Sequence, residues 1–126
     1  MEFTTFYKLE FFSGGYGSDA IHIIVDPYGD FKVEQIYVKG DTIVSETKET
    51  VIYKSDYNKM MKIVKIVRNW KDRYDQPGLC DGPEITIAID DKKTYIHSVS
   101  SKYYPKHYKK VMRYFNTLAN YAGLHV

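Results

Sequence analysis

A chain of 126 residues with one cysteine, Cys80, cannot close a disulfide within itself. Its four histidines, at 22, 97, 107 and 125, share no zinc-site spacing with that cysteine. No apolar run approaches the ~20 residues that span a bilayer. The N-terminal stretch Met-Glu-Phe-Thr-Thr-Phe-Tyr-Lys has no basic segment followed by an apolar one, so no signal peptide is expected. These absences predict a soluble chain in a reducing, cytoplasmic compartment, without metal, cofactor or membrane. No internal repeat, low-complexity tract or linker divides the sequence, and its length suits one domain over residues 1–126.

Nucleotide and calcium motifs are missing as well. The loop Gly14-Gly15-Tyr16-Gly17 lies between two strand-like stretches and lacks the GK[ST] ending of a phosphate loop. A hairpin loop or bulge explains its glycines. Asp72, Asp75 and Asp81 do not follow the alternate-position order of a calcium loop with a closing glutamate. The neighbouring Pro77-Gly78 and Asp81-Gly82 are turn formers in their own right.

What the sequence has in excess is tyrosine, 13 of them, within an aromatic content of 16%. Tyrosine favours strands, and it buries a ring while leaving its hydroxyl wet, so it is common on half-exposed sheet faces and at interfaces. The net charge is +2, unevenly spread. Residues 1–54 carry 5 Lys against 9 Asp and Glu, a formal −4; residues 55–126 carry 13 Lys and Arg against 7 Asp and Glu, a formal +6. Such polarity can steer a charged partner, although the total falls short of a dedicated nucleic-acid binder.

Period-two alternation predicts strands over Thr4–Phe12, Ala20–Val25, Phe31–Val38 and about Thr42–Tyr53, the last with a break near Glu46-Thr47-Lys48-Glu49. Their short connections, Asp26-Pro27-Tyr28-Gly29-Asp30 among them, imply an antiparallel meander. From Ser55, read as an N-cap, the period changes. Tyr57, Met60, Met61, Val64, Val67 and Trp70 recur at helical steps, with Lys59, Lys62, Lys65 and Arg68 mostly away from them. Glu84–Ile89 and Thr94–Val99 flank the turn Asp90-Asp91-Lys92-Lys93 as a hairpin. A second helix starts near Pro105, carries Tyr108, Val111, Met112, Phe115, Leu118, Ala119 and Ala122 as an apolar stripe, and stops at Gly123. The expected fold class is α+β: an antiparallel sheet, made of a four-stranded meander plus a later hairpin, with two helices packed on one face, in the order ββββ-α-ββ-α.

Three functional readings follow. The first is a small non-enzymatic module that binds another protein, as an inhibitor or adaptor, through a Tyr-rich sheet face or edge, as a monomer or homodimer. Its candidate contact residues are Tyr16, Trp70, Tyr74, Asp75 and Asp81. The second takes nucleic acid as partner, on the strip Lys102, Tyr103, Lys106, Lys109, Lys110 and Arg113 of the last helix, since lysines suit phosphates and tyrosines suit bases. The plain alternative is the solvated back of an amphipathic helix. The third is a small enzyme or ligand carrier at the Trp70–Gly82 loop, with Cys80 paired to His97 or His22. A nucleophile of that kind needs a base in reach and a third group to orient the base. A buried, inert Cys80 is the competing reading.

Overall fold

Residues that alternate in polarity pair into a sheet because that places one set of side chains on each face. A computed structural model describes residues 6–14, 20–39, 42–46, 53–79 and 82–121. Its strands are β1 (Leu9–Gly14), β2 (Ala20–Val25), β3 (Asp30–Lys39), β4 (Thr42–Glu46), β5 (Tyr53–Lys54), β6 (Arg73–Asp75), β7 (Glu84–Ile89) and β8 (Lys92–His97). Helix α1 (Tyr57–Arg68) precedes β6, and helix α2 (Tyr108–Tyr121) closes the described chain after a 3₁₀ turn at Ser101–Tyr103. The fold is α+β, as the sequence predicts. No helix among the described residues is long and apolar enough to cross a membrane.

The sheet differs from the expected one in two respects. It is mixed, not purely antiparallel, because β6 runs parallel to β8, with Arg73 opposite Tyr95 and Asp75 opposite His97. Three residues carry too little alternation to mark a strand, so the segment reads as loop in sequence. Flanking bonds hold it: Tyr95 N–H donates to the Asp72 carbonyl at 2.8 Å, and Gln76 N–H to that of His97 at 2.9 Å. The strand order also differs: β4-β3-β2-β1-β7-β8-β6, with β5 paired to β3. The late hairpin therefore docks beside β1, and β1 lies inside the sheet. The element order is βββββ-α-βββ-α, since β6 is added and the predicted fourth strand is split into β4 and β5, on opposite halves of β3.

One face of the sheet is greasy. Leu9 and Phe11 of β1 share it with Ile23 and Val25 of β2, Phe31 and Val33 of β3, Ile85, Ile87 and Ile89 of β7, and Ile96 of β8, all buried. Both helices cover this face. Met60, Ile63, Val64 and Val67 come from α1, and Val111, Phe115, Leu118 and Ala119 from α2, in one continuous core. Phe115 stacks on Phe11 with ring centroids 4.6 Å apart. The helices run antiparallel to each other. Tyr114 of α2 donates its hydroxyl proton to Ser55 Oγ, before α1, at 3.0 Å. At the other end the Trp70 indole N–H, after α1, donates to the Lys106 carbonyl, before α2, at 2.9 Å.

Local readings near the helix ends need correction. The N-cap of α1 is Asp56, which accepts from Lys59 N–H at 3.1 Å; Ser55 is buried and serves Tyr114. Tyr57 is 53% exposed and outside the apolar stripe, which Ile63 completes instead. Pro105 precedes α2 by three residues, and His107, with φ +66°, is the residue from which the helix springs. Lys110 and Val111 N–H both donate to the His107 carbonyl. Gly123 and Ala122 lie outside the described residues.

Two residues of the late hairpin bind distant segments. Asp90, at φ +53° in its turn, accepts from both Tyr7 and Lys8 N–H at 2.8 Å through one carboxylate oxygen. Lys92 donates from Nζ to the carbonyls of Val67, Arg68 and Trp70 at 2.9, 2.6 and 2.9 Å. That ammonium satisfies the free carbonyls at the end of α1, while burial holds its pKa below the usual lysine value.

Candidate functional site

Helical spacing aligns residues three and four apart on one flank of a helix. On α1 this puts Lys59, Lys62 and Ile63 on the flank toward α2; on α2 it puts Lys110, Arg113, Tyr114 and Thr117 on the flank toward α1. Between them runs a groove of about 370 Å³, lined also by Ser55 and Asp56 before α1 and by Leu118 and Tyr121 near the end of α2. Lys59, Lys62, Lys110 and Arg113 are all exposed. None of the four enters an ion pair among the described residues.

Among the described residues Asp56 is the one carboxylate lining the groove, and it is already engaged as the cap of α1. The imbalance extends beyond the groove. Segments 55–70 and 101–121 together contain nine Lys and Arg and a single acid, Asp56. The positive half of the sequence is thus concentrated on the helix layer. Like charges held together repel, and their free energy falls when an anion enters among them.

The groove also carries the apolar side chains of Ile63 and Leu118 beside the phenol of Tyr114. Tyr114 is buried, and burial pushes its hydroxyl up to about 12. Tyr108, stacked on Tyr104 at 3.9 Å, is pushed to about 12 by burial and by that neighbour. The groove holds no histidine or cysteine. It offers cations and hydroxyls that can bind an anion.

These two phenols set a pH dependence. An unfolded tyrosine ionises near 10, whereas the folded Tyr108 and Tyr114 keep their protons to about 12. Their contribution to stability is complete below 10 and is lost as pH rises toward 12. Urea midpoints measured between pH 9 and 12 are expected to fall, and to fall less steeply in a Tyr108→Phe/Tyr114→Phe variant.

The residues singled out in the sequence divide sharply. Lys110 and Arg113 line the groove; Lys106 and Lys109 are exposed beside it on the same layer. Lys102 lies in the 3₁₀ turn with its ammonium 5.6 Å from the centre of the Tyr103 ring. Of the loop set, Trp70 is buried in the core and Tyr74 is half-buried against it, accepting from Lys71 N–H at 2.9 Å. Asp75 pairs with Arg73 on β6, at 3.0 Å, and that guanidinium holds its carboxyl below the usual range. None of these three lines the groove. Tyr16, Cys80 and Asp81 lie outside the described residues, so the pairing of Cys80 with His97 or His22 does too. Lys59 and Lys62 were not singled out. Their signal was present, a basic flank at three-residue spacing on α1, but only the helix pairing brings it opposite Lys110 and Arg113.

The outer sheet face carries a different arrangement. His22 sits between two glutamates, with Nε2 2.9 Å from Glu10 Oε2 and Nδ1 3.4 Å from Glu34 Oε2. Lys8 ties Glu10 at 2.8 Å and holds its carboxyl low. Among the described residues no group of three or more His, Cys, Asp or Glu is placed to hold a metal. This is a cross-strand ionic ladder on a solvated face.

Comparison with known proteins finds no family model that matches the chain, and no matching relative among curated proteins.

Proposed function

We propose that this protein is a non-enzymatic binding module that holds nucleic acid on its two-helix layer, in the cytoplasm. The observation that carries this reading is the groove between α1 and α2, with Lys59, Lys62, Lys110 and Arg113 converging and only Asp56 opposed. A polymer of phosphates supplies the missing counter-charge along the whole layer. Of the sequence readings, the nucleic-acid strip gains support because a second helix now adds to it. A protein partner on a Tyr-rich sheet face gains less. On the described outer face Tyr95 stands among Phe12, His22, Thr86 and His97, while Tyr74, Tyr104 and Tyr108 pack against the core and Tyr114 joins it.

Salt dependence tests the proposal. Four phosphate contacts give a slope of about −3 in log affinity against log salt for a single strand. Raising salt from about 50 to about 200 mM is then expected to weaken oligonucleotide binding about 50-fold, read by fluorescence anisotropy. No binding at the lower salt, or binding indifferent to salt, counts against it.

A further inference from the structure

We infer that the groove fits one strand better than a duplex, so that the protein prefers single-stranded nucleic acid. This rests on the nucleic-acid reading above and specifies its ligand. Two packed helices lie with axes about 8–10 Å apart. At that spacing the helices touch, so a ligand lies in the furrow above their seam, which one flexible backbone can follow. A duplex is stiff and carries its phosphates on two rows flanking a groove about 12 Å across, so it follows so narrow a furrow less closely. The volume of about 370 Å³ is near the lower limit of small-molecule pockets, a size suited to one nucleotide unit.

The second element is aromatic. Tyr121 closes α2 at the rim of the groove, two turns beyond Arg113, and 61% of its surface is exposed. Its ring lies 6.1 Å from Phe31, tilted by 57°, which limits its motion. A base is stacked within a duplex but free to lie on an aromatic ring in a single strand. Tyr121 lies about 12 Å along α2 from Arg113, so a strand whose phosphates sit on Lys62, Lys110 and Arg113 continues along the groove to bring a base to its ring. The groove therefore combines the two components that grip single strands without reading sequence: a cationic track and a stacking platform.

The test uses the full chain and two labelled probes, an oligothymidylate of about a dozen nucleotides and a duplex of the same length, at about 50 mM salt. The single strand is expected to bind at least about tenfold more tightly than the duplex. Tyr121→Ala is expected to weaken the strand about tenfold, leave the duplex unchanged and leave the salt slope unchanged. Tyr121→Phe, which keeps the ring, is expected to match the parent and guards against a folding defect. Equal affinity for both probes, or no effect of Tyr121→Ala on the strand, overturns this inference while salt-dependent binding preserves the broader reading. Failure of both probes to bind at low salt removes both readings.

Discussion

Oligonucleotide binding is expected to weaken about 100-fold at about 50 mM salt when Lys62 and Arg113 are both changed to glutamate. Each reversal deletes one attraction to phosphate and adds one repulsion. In water each such interaction at contact is worth about 1 kcal/mol, and less when the side chain must be ordered. Four of them give about 3 kcal/mol, which is two decades of affinity. Both residues are exposed and enter no ion pair among the described residues, so their replacement touches no core contact. Stability is expected to stay within about 0.5 kcal/mol of the parent by urea denaturation. Within that range it is expected to rise, because reversal relieves repulsion within the groove. Lys93→Glu, an equally exposed change on the outer sheet face, serves as control and is expected to alter affinity several-fold at most. If the double variant binds as the parent does, these cations are only the solvated backs of two amphipathic helices.

The helices and most strands were legible in the sequence because their signals are local. Phe115, Leu118 and Ala119 advertise an apolar stripe by spacing alone, and all three are buried. Leu9 and Phe11 alternate with Glu10 and Phe12 and take opposite faces as that alternation requires. Non-local pairing was not legible. Nothing in Glu84–Ile89 states that it will lie beside β1 and not beside β4, because that pairing joins segments far apart in the chain. β6 is fixed by bonds to β8 and has no pattern of its own. Lys92 reads as a turn residue, yet its ammonium caps a helix 24 residues away. The site suffered in the same way. Half of it, Lys110 and Arg113, lay in a strip conspicuous in sequence; the other half, Lys59 and Lys62, acquired meaning only once α1 and α2 were antiparallel neighbours. Trp70 drew attention by its rarity, but a large ring with one donor is as useful for joining two helix ends as for meeting a ligand.

Phe115→Ala is expected to cost about 4 kcal/mol, the largest effect of any single change considered. Phe115 is fully buried, stacks on Phe11 at 4.6 Å and meets the Tyr114 ring edge-on at 5.2 Å. Truncation removes the transfer free energy of the ring and leaves a void between sheet and helix that neighbours fill only in part. The stack itself adds about 1 kcal/mol beyond burial. A double-mutant cycle with Phe11→Ala isolates that term: the pair is expected to cost less than the two single changes added, by about 1 kcal/mol or more. Phe12→Ala, on the neighbouring residue whose ring is 38% exposed on the outer face, is expected to cost far less. The same cycle bears on function, because α2 carries Lys110 and Arg113 and is held to the sheet through Phe115. Loss of that anchor separates the two basic flanks, so affinity for oligonucleotide should fall in step with the unfolded fraction. Additive energies for Phe11 and Phe115 would mean that α2 does not dock on β1, and the groove, which exists only because both helices share one face, would go with it.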